Sequence, residues 1–170
     1  MKNLLIVVDM QNDFITGALG TGEARAILPD VVKLVESWDG PVAFTRDTHG
    51  PGYLDTQEGK HLPVPHCLKG TDGWQIADSL RPWADSAPVF DKPAFGSPAL
   101  AHWCGGQQPD SITLCGVCTG ICVISNALLL KAALPETPVK VIARCCACVT
   151  PQSHQTALDA MKLCQVLVEE

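Results

Sequence analysis

The stretch Leu4-Leu5-Ile6-Val7-Val8-Asp9 is five consecutive apolar residues ending on a carboxylate. A run that short, with three β-branched residues, reads as a strand covered on both faces rather than as a helix. Five more apolar runs follow, at Val42 to Thr45, Val89 to Phe90, Ile112 to Leu114, Val139 to Ala143 and Val166 to Val168. Parallel strands need crossover connections of about a dozen residues or more, and the segments between these runs are long enough to supply them. Helical patterns fall near Ala24 to Trp38, Trp74 to Trp83, Pro98 to Trp103, Gly120 to Leu134 and Pro151 to Cys164. In the last, His154, Ala157, Leu158, Met161 and Cys164 recur at helical spacing behind a proline whose missing N–H costs nothing at a helix start. The sum predicts an α/β, three-layer Rossmann-like fold, with a six-stranded parallel sheet flanked by helices and a single domain over residues 1–170. One segment breaks the rhythm. Asp47 to Gly73 is rich in glycine, proline and polar residues and far exceeds an ordinary connection, which marks it as functional.

Composition narrows the functional classes. The 170 residues are 46% hydrophobic and 18% charged, the balance of a globular chain with a sizeable core. No apolar run approaches the roughly 20 residues a bilayer span needs, so no membrane partner is expected. The formal charge of −6, without any basic block, argues against a nucleic-acid surface, which needs clustered lysine and arginine. No small-residue cleavage site follows the first apolar run. Nine cysteines, an odd number spread through apolar segments, read as reduced thiols, and a cytoplasmic location is expected. For eight of the nine the expected role is packing.

Three places carry chemistry. Asp9 stands at the carboxyl edge of a buried strand, where open α/β sheets bind ligands, and reads equally as the cap of a turn with Gln11, Asn12 and Asp13. Gly20-Thr21-Gly22 lacks the third glycine of a phosphate loop, so no nucleotide cofactor is expected. In Leu114-Cys115-Gly116-Val117-Cys118-Thr119-Gly120-Ile121-Cys122-Val123, a strand breaks at glycine and a helix begins. Cys122 then falls in a first helical turn, where unpaired N–H groups stabilise a thiolate and can face an oxyanion. Cys115 and Cys118 form a Cys-x-x-Cys pair with no matched second pair for a structural zinc. Thr45-Arg46-Asp47-Thr48-His49 leaves a strand end and Pro65-His66-Cys67 returns from the long loop. Asp47, His49 and His66 suit a zinc or iron ion with open positions, and equally an ordinary solvated loop. Lys92 leaves the third strand on the same edge as Asp9, among apolar neighbours where an ammonium needs an anionic partner.

Taken in order, several motifs resemble those of the isochorismatase-like cysteine hydrolases, the superfamily of nicotinamidases, N-carbamoylsarcosine amidase and isochorismatase. They are Val7-Val8-Asp9-Met10-Gln11-Asn12-Asp13-Phe14, Gly17-Ala18-Leu19-Gly20, Thr45 to His49, His66-Cys67-Leu68-Lys69-Gly70-Thr71, Lys92 with Phe95 and Ser97, Gly116 to Val123, and the terminal Ser153-His154 helix. The resemblance runs nearly end to end. It implies a catalytic triad of Asp9, Lys92 and Cys122, a cis peptide between Val117 and Cys118, and an oxyanion hole from the backbone N–H groups of Cys118 and Cys122. The nicotinamidase branch implies a divalent metal on Asp47, His49 and His66, zinc first with iron or manganese as alternatives, and ring stacking on Phe14. Homo-oligomers are common in the superfamily, so one is expected here. Three positions depart from the pattern. Asp55 falls near a third histidine of some nicotinamidases, Pro63 stands where a tryptophan is frequent, and Gly120 stands where many relatives carry aspartate. The expected reaction is hydrolysis of a small, nicotinamide-like amide through a thioester on Cys122, with Asp9 as proton shuttle. The alternatives are isochorismatase-type or ureido/carbamoyl hydrolysis on the same scaffold, or a non-catalytic, metal-bearing binding module.

Overall fold

The computed structural model describes residues 1–170 and contains six strands, one for each apolar run. They are β1 (Asn3–Val8), β2 (Val42–Asp47), β3 (Val89–Lys92), β4 (Ser111–Val117), β5 (Val139–Ala147) and β6 (Leu167–Glu169). All pair in parallel, in the order β3-β2-β1-β4-β5-β6. Leu4 to Val8 have no exposed surface, as a continuous apolar run in a central strand requires.

The helices are α1 (Asn12–Ile15), α2 (Gly22–Ser37), α3 (Gln57–His61), α4 (Arg81–Ala84), α5 (Pro98–Gln107), α6 (Ile124–Ala133) and α7 (Pro151–Leu163). Local chemistry sets their starts. Thr21 caps α2, Ser97 caps α5, and Thr150 with Ser153 forms a reciprocal capping pair ahead of α7. The chain runs from β1 outward to β3, returns across the sheet to β4, and continues outward to β6. Right-handed crossovers therefore put α2 on one face and α5, α6 and α7 on the other. Ala157, Leu158 and Met161 of α7 are buried as their spacing predicts, whereas Cys164 lies beyond the helix and is exposed.

Two expected helices differ. From Trp74 to Trp83 only α4 is helical, because the preceding backbone is strapped to the end of β1. Ile76 forms a bridge to Gln11, and the Ala77 amide donates to the Met10 carbonyl. The segment Gly120 to Leu134 begins as a wide π-type turn, Thr119–Val123, before α6 takes over. The long Asp47–Gly73 connection contains a 3₁₀ turn at Tyr53–Asp55 and the short α3.

Between β1 and β4 the crossovers depart in opposite directions, and a crevice opens at the carboxyl ends of such a pair. Four consecutive strand ends meet there. β1 delivers Asp9, β2 ends on Asp47, β3 ends on Lys92, and β4 leads into the turn holding Cys122.

Candidate active site

Asp9 follows β1 with φ +49°, a left-handed conformation that aspartate tolerates better than most side chains. Its carboxylate is fully buried. Oδ1 accepts from Thr45 Oγ1 at 2.6 Å, and Oδ2 lies 2.7 Å from Lys92 Nζ. Lys92 is itself buried, and its ammonium stands 3.4 Å from Cys122 Sγ, 3.1 Å from the Ala94 carbonyl and 3.7 Å from Asp47 Oδ1. Asp9, Lys92 and Cys122, separated by 30 residues or more in sequence, therefore form one contact group.

Burial opposes every charge in this group, so the neighbours decide. Desolvation raises the Asp9 pKa, and the opposing Lys92 ammonium does not fully cancel it. Burial would lower Lys92, but Asp9, Cys122 and Asp47 outweigh it and raise the ammonium above its ordinary value. Cys122 is pushed up by burial and by the Asp9 charge, which the Lys92 ammonium opposes without cancelling. The resting group is a carboxylate–ammonium pair beside a protonated thiol. The first-turn position favours thiolate, but desolvation keeps the proton on sulfur.

Beside the triad, Asp47 Oδ2 lies 2.9 Å from His49 Nε2 and 3.2 Å from His66 Nε2. Glu58 Oε1, from α3, stands 3.7 Å from each histidine Nε2. One ligand atom from each of the four residues lies within 4.8 Å of every other. Ligands about 2 Å from a shared tetrahedral ion stand roughly 3.3 Å apart, so these separations bracket what an ion requires. Asp47 Oδ1 is buried without a hydrogen-bond partner and faces the Lys92 ammonium at 3.7 Å, which leaves Oδ2 as the oxygen turned to the two imidazoles. His66 Nδ1 pairs with the Val64 carbonyl at 2.8 Å, which fixes the ring with Nε2 facing the cluster. Burial works against charge on Asp47, yet hydrogen bonds from His49 and His66 and the nearby Lys92 hold its carboxyl well below the usual range. Two imidazoles and two carboxylates suit zinc, iron(II) or manganese(II). Asp55 lies in the 3₁₀ turn and is absent from the cluster. Glu58 takes the fourth place, and no periodicity in that irregular loop pointed to it.

Cys122 and the four residues Asp47, His49, Glu58 and His66 line one cavity of about 940 Å³, whose apolar wall includes Phe14, Leu19, Phe95, Ile121 and Val149. Phe14 packs on His66 with ring centroids 5.7 Å apart. The Val117–Cys118 peptide bond is cis, and the Cys118 amide makes no hydrogen bond within the protein. Supporting residues that the sequence did not single out hold these groups. Gln11 is fully buried; its side-chain amide donates to the carbonyls of Asp47 and Trp74 and accepts from the Asp47 amide, tying the ends of β1 and β2 together. Asn126 donates to the Cys122 carbonyl at 2.8 Å and accepts from the Ser97 amide at 2.9 Å, linking the Cys122 turn to the start of α5.

A parallel sheet with strand order 3-2-1-4-5-6 and a Cys–Lys–Asp group at its switch point defines an α/β hydrolase of the isochorismatase-like type. Residues 3–169 match the isochorismatase domain, and the chain belongs to that family. It is 32% identical over 143 residues to an isochorismatase family protein of Bacillus subtilis, covering 75% of this chain and 78% of the relative. It is 31% identical over 144 residues to the nicotinamidase/pyrazinamidase of Mycobacterium tuberculosis, covering 72% of this chain and 75% of that enzyme. The crystal structure of the Pyrococcus horikoshii pyrazinamidase in complex with zinc superposes with a TM-score of 0.83 at 27% identity, covering 100% of this chain and 99% of the other. No helix here is long and apolar enough to cross a membrane.

Proposed function

We propose that residues 1–170 form a single domain that hydrolyses a small carboxamide of the nicotinamide type through a thioester on Cys122. The observation that carries this reading is the buried Lys92 ammonium, 2.7 Å from the Asp9 carboxylate and 3.4 Å from the Sγ of Cys122, a residue that lines a largely apolar cavity. Asp9 takes the thiol proton as Sγ attacks the carbonyl carbon, and the developing oxyanion faces the backbone amides of Cys118 and Cys122. Asp9 then returns the proton to the departing nitrogen, ammonia leaves, and a thioester remains. Water gives a proton to Asp9 and attacks the thioester. The same proton returns to sulfur as the carboxylic acid is released. Lys92 stays an ammonium throughout and balances whichever of Asp9 and Cys122 is anionic.

Asp47, His49, Glu58 and His66 are suited to hold a divalent ion, zinc first with iron or manganese as alternatives, and such an ion supplies Lewis-acid binding for a polar atom of the substrate. Phe14 offers the aromatic face for its ring. The same reading takes the protein as a cytoplasmic homo-oligomer.

The test is ammonia release from nicotinamide and a panel of small amides. Turnover is expected with the intact chain and a loss of at least about a thousand-fold in Cys122→Ala, with an unchanged circular dichroism spectrum. Absence of turnover with every amide overturns the assignment. For the metal, equilibrium dialysis should show one zinc bound per chain. Asp47→Ala or Glu58→Ala should weaken it by more than the roughly ten- to hundred-fold typical of losing a supporting residue. Unchanged affinity in both variants excludes this cluster.

A further inference from the structure

Three of the nine thiols share the catalytic cavity: Cys122 with Cys118 and Cys148. Cys118 follows β4 and Cys148 follows β5, each one step beyond the paired residues Val117 and Ala147. Neighbouring strands lie about 4.8 Å apart, inside the roughly 4.4–6.8 Å Cα span that a disulfide bridges. Gly120 leaves room at this point, since an added Cβ would stand 3.4 Å from Cys148 Sγ. The hydrolytic reaction uses neither thiol, only the Cys118 amide.

The nucleophile is the thiol of this trio equipped for early oxidation, because Asp9 removes its proton and the ammonium 3.4 Å away stabilises the anion. Burial raises the Cys118 thiol as it does Cys122, but no ammonium stands beside Cys118 to stabilise its anion. A sulfenic acid formed on Cys122 shares its cavity with the thiol of Cys118, the residue that caps the same turn four positions earlier, an arrangement in which oxidation can stop short of the irreversible acids.

We infer that Cys118 and Cys148 are a resolving pair for the nucleophile: when a small hydroperoxide oxidises Cys122, they take up the oxidation as a disulfide and return Cys122 to the thiol. The inference rests on the reading of Cys122 as the nucleophile. In the first step the Cys122 thiolate attacks the terminal oxygen of the hydroperoxide, the O–O bond breaks, and the alcohol leaves with the proton held by Asp9. Cys118 sulfur then attacks the sulfenic sulfur, the S–O bond breaks, and hydroxide departs with the Cys118 proton as water. Cys148 sulfur attacks Cys118, the Cys118–Cys122 bond breaks, and Cys122 leaves as the thiolate, which takes the Cys148 proton. Two thiols lose two electrons in all, and the hydroperoxide is reduced to alcohol and water. An external dithiol resets the pair.

The experiment treats the full chain with hydrogen peroxide, alkylates free thiols and maps disulfides by mass spectrometry. Ammonia release is scored against each protein's own untreated activity. The expected result is a Cys118–Cys148 disulfide with Cys122 alkylated, and activity that dithiothreitol preserves or restores. In Cys118→Ser, which removes the sulfur that first attacks the sulfenic acid, Cys122 should pass to sulfinic acid and irreversible loss should run several-fold faster. Equal rates of Cys122 over-oxidation in the two proteins overturn the inference. Should that variant not fold, a wild-type map with oxidised Cys122 and no Cys118–Cys148 link overturns it alone. Failure of the untreated chain to release ammonia counts against the hydrolase reading instead, and the disulfide map still decides the pair.

Discussion

In the proposed reaction Asp9 carries two opposed demands, since it must be a base strong enough to take a thiol proton and yet remain ionised at rest. Burial raises its pKa above 3.8 and Lys92 limits the rise. The acid limb of kcat/KM should therefore lie above the ordinary carboxylate range, with activity falling about tenfold per pH unit below it. The sign for stability is opposite. A group whose folded pKa is raised binds its proton more readily in the native than in the unfolded chain, so protonating Asp9 does not itself unfold the protein. Acid inactivation through Asp9 should be reversible, with near-UV circular dichroism unchanged, and Asp9→Asn should lose roughly a hundred- to ten-thousand-fold at every pH. Full activity below pH 4 would contradict the assignment. Asp9, Lys92, Asp47, His49 and His66 were legible because a charged or ligating residue at the end of an apolar run, or in a long loop, has few structural reasons to be there. Glu58 and Asn126 were not, because a glutamate in an irregular loop and an asparagine in a helix look the same whether they face a site or water.

At the scale of elements, apolar runs disclosed the six strands, since both faces of a parallel sheet must be dry. The helix expected from Trp74 failed because hydrogen bonds to Met10 and Gln11 outweigh local propensity, and sequence spacing carries no trace of such partners. The turn after β4 shows how tightly backbone geometry is held. Gly116 sits at φ +116°, where the β4–β5 register shifts, and a Cβ there would overlap the Val8 carbonyl oxygen and nitrogen. Since Asp9 follows β1 and the turn holding Cys122 follows β4, neither strand can yield without moving one of them. Gly116→Ala should cost at least about 2 kcal/mol in urea unfolding. It should also lower kcat in the fraction that remains folded. A variant as stable and active as the parent would show that the strands can part without consequence.

The whole molecule stores much of its cysteine in dry places, and that has a consequence for how it responds to alkali. Strand order was not legible from the apolar runs, but it determines where the thiols lie: Cys115 and Cys146 sit on the adjacent central strands β4 and β5, while Cys104 is on α5 and Cys67 is under the long loop. Burial raises all four, Cys104 to about 12 and the others further. In the unfolded chain they ionise near 8.5 to 9, at about the ordinary thiol value. Above that pH the native state holds protons that the unfolded state has lost, so stability must fall as pH rises, by about 1.4 kcal/mol per unit for each thiol once its unfolded form is ionised. Lys92 acts in the same sense, because its raised pKa gives a contribution that is complete below the unfolded value of 10.5 and is lost as pH rises through the folded one. Four thiols together approach about 5 kcal/mol per unit, against a total of about 5–15 kcal/mol for a domain. Urea unfolding at pH 8, 9, 10 and 10.5 should show a midpoint that drops steeply above 9. Cys104→Ala should make that slope shallower by about 1.4 kcal/mol per unit whatever it costs at neutral pH. A midpoint that stays level to pH 10.5 would mean that these sulfurs ionise in the native fold as freely as in water, and the desolvation that in the proposed reaction keeps Cys122 protonated until Asp9 acts would lose its basis.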